Sequence, residues 1–252
     1  VKILSAQGTG RLAVSGIAQN FSPDLAAPVS ASVRMTGEIA EFWPYVPAPD
    51  HQVSGTINLE LDVAGTLDDI GWKGNLGLSD GHYENLVYGT ILEQVRLAGE
   101  FDQNGLSIPS ITATDGGNGK LDASVDLTMK DGGEAAYDVT ATLRNFALSR
   151  VDELQFWADV DTKVTGNQES ADIESTVTVQ RGEVDLSLAL PESVPTIEVA
   201  NLPDEEEKEE ARKAAEKDNG FSGNLDVTVD IPGRLFVRGK GLDSEWGGRL
   251  EI

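Results

Sequence analysis

From Ile57 to Val63 the chain reads Ile-Asn-Leu-Glu-Leu-Asp-Val, with an aliphatic side chain at every second position and a polar or acidic one between. A period of two places every aliphatic group on one face of an extended strand and every polar group on the other. The same rhythm returns over residues 121–129, 137–143, 158–164, 173–179, 184–190 and 225–231. Parallel sheets sandwiched by helices show continuous apolar runs and need helical crossovers, so this pattern excludes most α/β architectures. It predicts an all-β, mostly antiparallel sheet with one aliphatic and one polar face.

Turn chemistry divides the rest. Two strands are expected between Arg11 and Gly37, separated at Pro23 and Pro28, with Leu12, Val14, Ile17, Val29, Ala31, Val33 and Met35 on one face. Residues 37–49 are rich in aromatics and proline; they read as a short helical turn ending before Pro44 and then an extended linker, with Ile39, Phe42 and Trp43 plugging the end of a hydrophobic layer. Leu76 and Leu78 extend the aliphatic face, and Ser79-Asp80-Gly81 reads as the next turn. One stretch favours helix, residues 203–220: Asp204 and Glu207 form a capping box, bases follow acids, and Asn219-Gly220 stops the run. With only an alanine stripe to bury, it is expected to be a solvated charged insertion, helical or disordered. The expected organisation is an N-terminal β-segment over 1–37, a helical turn and linker over 38–50, a β-repeat array over 51–200, the charged insertion over 201–220 and closing strands over 221–252.

Several chemistries lack support. The 252 residues include 43 acidic and 19 basic side chains, a formal net charge of -24, which disfavours nucleic acid and anionic lipid surfaces, since both select Lys/Arg patches. There are no cysteines, hence no disulfides or thiol chemistry. His51 and His82 stand apart without metal-ligand spacing. The run Asp115-Gly116-Gly117-Asn118-Gly119-Lys120-Leu121-Asp122 approaches a calcium-binding β-roll repeat, yet Asp122 comes one place late and the run occurs once, so it reads as a Gly/Asn turn. No phosphate loop and no metal, cofactor or catalytic group is expected, and the chain reads as a non-enzyme.

Two stretches share spacing: Gly65, Asp69, Trp72, Gly74 and Leu76 match Gly239, Asp243, Trp246, Gly248 and Leu250, with a degenerate third copy at Val164-Thr165-Gly166 and Asp172-Ile173. Matched Trp and Leu positions point beyond turn chemistry to repeats of a stacking array.

The second of these stretches carries a resemblance. Phe236-Val237-Arg238-Gly239-Lys240-Gly241-Leu242-Asp243-Ser244-Glu245-Trp246, followed by Gly248 and Leu250, resembles the C-terminal signature of the TamB family, which has Arg where this chain has Lys240. Upstream, the alternating strands resemble AsmA-like repeats. Alternation alone is shared by a closed sandwich and an open trough; the resemblance implies the trough, a curled, taco-shaped, half-open sheet whose aliphatic lining carries phospholipid acyl chains between inner and outer membranes. On that reading the lining comprises Ile57, Leu59, Leu61, Val63, Leu121, Val125, Leu127, Val177, Val179, Leu186, Leu188, Leu225, Val227 and Val229. The resemblance further implies a periplasmic fragment of a longer, inner-membrane-anchored protein that meets the membrane only outside this fragment. Its partner would be an outer-membrane barrel of the TamA or Omp85 type, in support of outer-membrane biogenesis. Rival readings are a chaperone-like scaffold for outer-membrane protein or autotransporter assembly and secretion, and a structural β-solenoid with a closed core.

Overall fold

The structure is a computed structural model that describes residues 7–14 (backbone only), 28–41, 43–130, 133–187 and 222–252. The strands are β1 Gln7–Val14, β2 Pro28–Glu38, β3 His51–Thr66, β4 Ile70–Asn85, β5 Thr90–Asp102 and β6 Gly105–Thr114. They continue as β7 Lys120–Met129, β8 Ala135–Val151, β9 Leu154–Asn167, β10 Ser170–Asp185, β11 Ser222–Gly239 and β12 Leu242–Glu251. All twelve form one sheet in sequence order, with β1 and β12 as its edges. Every neighbouring pair is antiparallel except β10 and β11, which are parallel. The sheet is open, as the resemblance led one to expect, and no second sheet packs on its apolar face among the described residues. None of the described helices is long and apolar enough to cross a membrane.

The meander sends successive turns to two rims. Residues 39–41, 43–50, 86–89, 115–119, 152–153 and 240–241 lie on one; residues 67–69, 103–104, 133–134 and 168–169 lie on the other. On the first rim two 3-10 turns, Ile39–Glu41 and Trp43–Tyr45, follow β2. The helical turn therefore does not end before Pro44. Pro is tolerated where the N–H needs no helical partner, and the second turn is anchored by Trp43 Nε1 donating to His51 O at 2.8 Å. Phe42 and the insertion at 201–220 lie outside the described residues.

Two other local expectations are corrected. Ser79-Asp80-Gly81 is a bulge within β4, not a turn: Asp80 takes φ 51°, a conformation Asp tolerates. Gly81 lies against Gly55 of β3, where a Cβ on Gly55 would come within 2.8 Å of the Gly81 Cα, so two glycines let the strands bend together. The expected segment 173–179 lies within β10, which continues past a bulge between Val179 and Arg181; of the expected segment 184–190 only Val184 and Asp185 belong to that strand, and residues 188–190 lie outside the described residues. Turn residues announce positive φ; whether the strand resumes afterwards depends on its partners.

The proposed repeats map onto different hairpins. Gly65 pairs with Ile70 across the turn 66–69, and Trp72 lies opposite Val63. Gly239 pairs with Leu242 across Lys240-Gly241, and Trp246 lies opposite Leu235, two residues farther from the turn. The degenerate copy is the closer match to the first. Gly166 pairs with Ala171 across an equally long connection, and a Cβ on Gly65 or Gly166 would strike the carbonyl oxygen of Asp69 or Ser170 respectively. Each turn also has a side-chain acceptor, Thr66 Oγ1 for Asp69 N and Asn167 Oδ1 for Ser170 N.

Candidate functional site

Registers carry the apolar face across the sheet in rows about 7 Å apart, two residues along a strand. Next to the 67–69 rim, one row reads Val33, Leu61, Gly74, Phe101, Leu106, Leu127, Tyr137 and Gly166. The second runs Met35, Leu59, Leu76, Gly99, then Ile108, Val125, Val139, Val164, Ile173 and Leu225. The third contains Ile57, Leu78, Leu97, Ile111, Ala123, Ala141, Thr162, Ser175 and Val227. In the fourth stand Val95, Ala113, Leu121, Leu143, Val160, Val177, Val229 and Leu250. None of these rows carries an ionisable carboxylate, amine, imidazole or guanidinium group. The opposite face holds the charges, including the pairs Arg34–Glu60 at 2.8 Å, Arg144–Asp161 at 2.7 Å and Lys163–Asp138 at 3.2 Å. Hydrogen bonding to Arg144 leads the effects that hold the Asp161 carboxyl below its ordinary range.

Most of the lining is half-buried, shielded by neighbours on the sheet and open above. Aromatic rings cover the glycine gaps: a Cβ on Gly166 would meet the Tyr137 ring, and one on Gly74 the Phe101 ring. Trp72 packs on that Phe101 ring, with centroids 5.9 Å apart.

Of the lining residues read from the sequence, Ile57, Leu59, Leu61 and Val63 stand on this face beside Leu78, Leu76, Gly74 and Trp72. Leu121, Val125 and Leu127 stand opposite Leu143, Val139 and Tyr137. Leu225 and Val227 stand opposite Ile173 and Ser175, and Val177 opposite Val229. Val179 shares the face but is only 1 % exposed, so it belongs to a packed layer rather than an open lining. Leu186 lies past the end of β10, its N–H donating to Arg238 O, and Leu188 lies outside the described residues. Sequence reasoning missed Leu97, Phe101, Leu106 and Ile111, because bulges in β5 and β6 break the alternation there.

The packed layer has a distinct cause. The hairpin of β6 and β7 is short, so β5 and β8 extend beyond it and meet around its tip. Thr90 Oγ1 donates to Leu148 O, Ser149 Oγ to Tyr88 O at 2.8 Å, and Arg150 N to Tyr88 O at 3.1 Å. Asp115 sits at the centre, 2 % exposed. Its Oδ1 accepts Gly117 N at 2.8 Å and Gly119 N at 2.9 Å; its Oδ2 accepts Ala147 N at 3.1 Å and Arg150 Nη2 at 2.9 Å. Burial pushes this carboxyl up, and the three backbone donors with Arg150 outweigh it, leaving the group below the ordinary carboxylate value. The near-match to a calcium loop is thus a structural latch: its first acid faces four N–H donors, and Asp122 is exposed on β7 opposite Thr112 and Thr142. Beneath the latch Val95, Ala113, Phe146 and Ala158 join Val179 as buried apolar groups.

At the other end of the sheet the 236–250 stretch ties three strands together. Lys240 (φ 50°) and Gly241 (φ 86°) make a two-residue turn with both central residues left-handed, the geometry that suits a twisted hairpin. Arg238 bridges β10 and β12 on the polar face, 2.6 Å from Glu183 Oε1 and 3.3 Å from Asp243 Oδ1. Glu245 Oε1 accepts Arg234 N at 2.8 Å where β11 bulges. Trp246 faces the apolar side opposite Leu235, its Nε1 donating to Ser244 Oγ at 2.8 Å. A family model described as the TamB C-terminal domain matches residues 109–252, more than half of the chain. The chain belongs to the TamB family. Comparison with curated proteins and with solved structures returned no match. In this TamB-family chain the matched region starts within β6 and includes the Asp115 loop with Ala147 and Arg150, the parallel strand pair and the hairpin just described.

Proposed function

We propose that this chain is a periplasmic segment of an envelope-spanning bridge that carries phospholipid along its apolar face. Membership in the TamB family sets the broader context, envelope assembly. The observation that carries the finer reading is the apolar face whose four rows together run from β2 to β12, half-exposed over most of its length and, among the described residues, uncovered by another sheet. Soluble monomers rarely expose apolar patches beyond a few hundred Å² without a guest. Acyl chains leave water for this lining while headgroups stay at the rims, and non-directional contacts let the lipid slide. No side chain performs chemistry in this process. The protein of which this chain is part would be anchored in the inner membrane and meet an outer-membrane barrel of the TamA type.

A second reading, a scaffold for assembling outer-membrane proteins, draws on β12. It is an edge strand, and Trp246 and Leu250 are each 54 % exposed on its apolar side, ready for a further amphipathic strand.

Native mass spectrometry of the gently purified chain, followed by lipid extraction, separates the two. Co-purifying phospholipid, lost in folded Leu61→Asp or Val227→Asp variants, supports the conduit. A lipid-free protein that binds amphipathic strand peptides overturns it in favour of the scaffold.

A further inference from the structure

Resting on the conduit reading, we propose that the acyl-chain path is off-centre: between β5 and β8 it follows the rows beside the 103–104 rim, and the Asp115–Arg150 latch excludes it from the other side. The two halves of the face differ in access. Near the latch Val95 is 9 %, Ala113 6 % and Phe146 0 % exposed, leaving almost no surface for an acyl chain to contact. Toward the opposite rim Leu106, Leu127, Val125 and Val139 remain half-exposed.

The asymmetry follows from strand length. β6 and β7 have ten residues each, while β8 has seventeen, so the extra length of β8 folds over the hairpin tip on one rim only. On the other rim the strands end together and the face stays open. Ile108, 8 % exposed and seated against Gly99, narrows the second row at β6 and presses the path farther toward Leu106 and Leu127. The predicted guest is the hydrocarbon of a phospholipid, because none of the rows concerned carries an ionisable group that would recognise a headgroup.

The test is mapping of photo-adducts on the wild-type chain. The chain is incubated with phosphatidylethanolamine–phosphatidylglycerol vesicles carrying a phospholipid with a diazirine in its acyl chain, irradiated and analysed by peptide mass spectrometry. Adducts are expected at Leu106, Leu127 and Val139, with at least tenfold lower yield at Val95, Ala113 and Phe146. Comparable yields on both sides overturn the off-centre path while leaving the conduit standing. Absence of adducts from the whole apolar face overturns the conduit and this inference together. In Asp115→Ala protein that keeps its strand circular dichroism, adducts are expected to spread to Val95 and Ala113; an unchanged map in that variant refutes the latch as the excluding element.

Discussion

Replacing Asp115 with Ala removes one acceptor group and leaves four donors behind. The Gly119 and Ala147 N–H groups are buried, the Gly117 N–H partly so, and Arg150 is 29 % exposed and can turn to water. A buried donor left unpaired costs about 1–3 kcal/mol, and Arg150 adds little because solvent screens it. The expected loss is therefore about 3–5 kcal/mol, in line with breaking a buried charged partner on one side. At about 1.4 kcal/mol per factor of ten, amide hydrogen exchange across 86–90, 115–119 and 146–151 should accelerate by roughly a hundredfold to a few thousandfold. Exchange in β2 and β3 should not change, because these strands touch none of the latch. Asp115→Asn is informative beside it. With Oδ1 kept for the two glycines, its amide would turn donors toward the Ala147 N–H and Arg150, so it should lose at least half as much. Exchange rates in Asp115→Ala that match wild type at all three segments would refute this account of the latch.

The same carboxyl predicts a pH dependence. Its folded pKa lies below the ordinary 3.8, so its contribution is fully present above that value and disappears as pH falls through the lower folded value; amide protection at 115–119, taken relative to the intrinsic exchange rate at each pH, should fall selectively in that acid window and stay flat from pH 5 to 8. Val179→Asp, burying an unpaired charge at a site 1 % exposed, should cost more than about 4 kcal/mol, whereas half-buried Leu61→Asp should cost about 1–2 kcal/mol, as measured by urea denaturation followed by circular dichroism. Gly239→Ala should destabilise the β10–β12 region by about 1–3 kcal/mol, because φ is 113° and a Cβ would come within 2.6 Å of Ser187 N; exchange in β11 and β12 reads the effect.

Alternation made the sheet and its faces legible, since a period of two needs no knowledge of partners: Ile57, Leu59, Leu61 and Val63 stand on one face for the reason read in the sequence. Bulges were not legible. Asp80, Gln94 and Asn145 adopt positive φ within strands, and each shifts the alternation by one residue in a way that resembles a turn or lost pattern. Nor was the latch legible, because it joins Tyr88 to Ser149 and Asp115 to Ala147, pairs set by strand lengths rather than by local sequence. The parallel pair did leave a trace. A connection of a dozen residues or more is what parallel neighbours require, and residues 186–221 separate β10 from β11.

That parallel step sets a lower limit on chain length. β10 and β11 both run toward the 240–241 rim, so the chain leaving Asp185 must regain the opposite rim before Ser222. Sixteen residues of β10 span roughly 50 Å at about 3.3 Å each, and a fully extended return needs about 15 residues. Trimming the 186–221 connection is therefore permissible only down to that reach. Below it β11 cannot keep its direction, and the hairpin at Lys240-Gly241 would leave the rim it shares with the Asp115 loop.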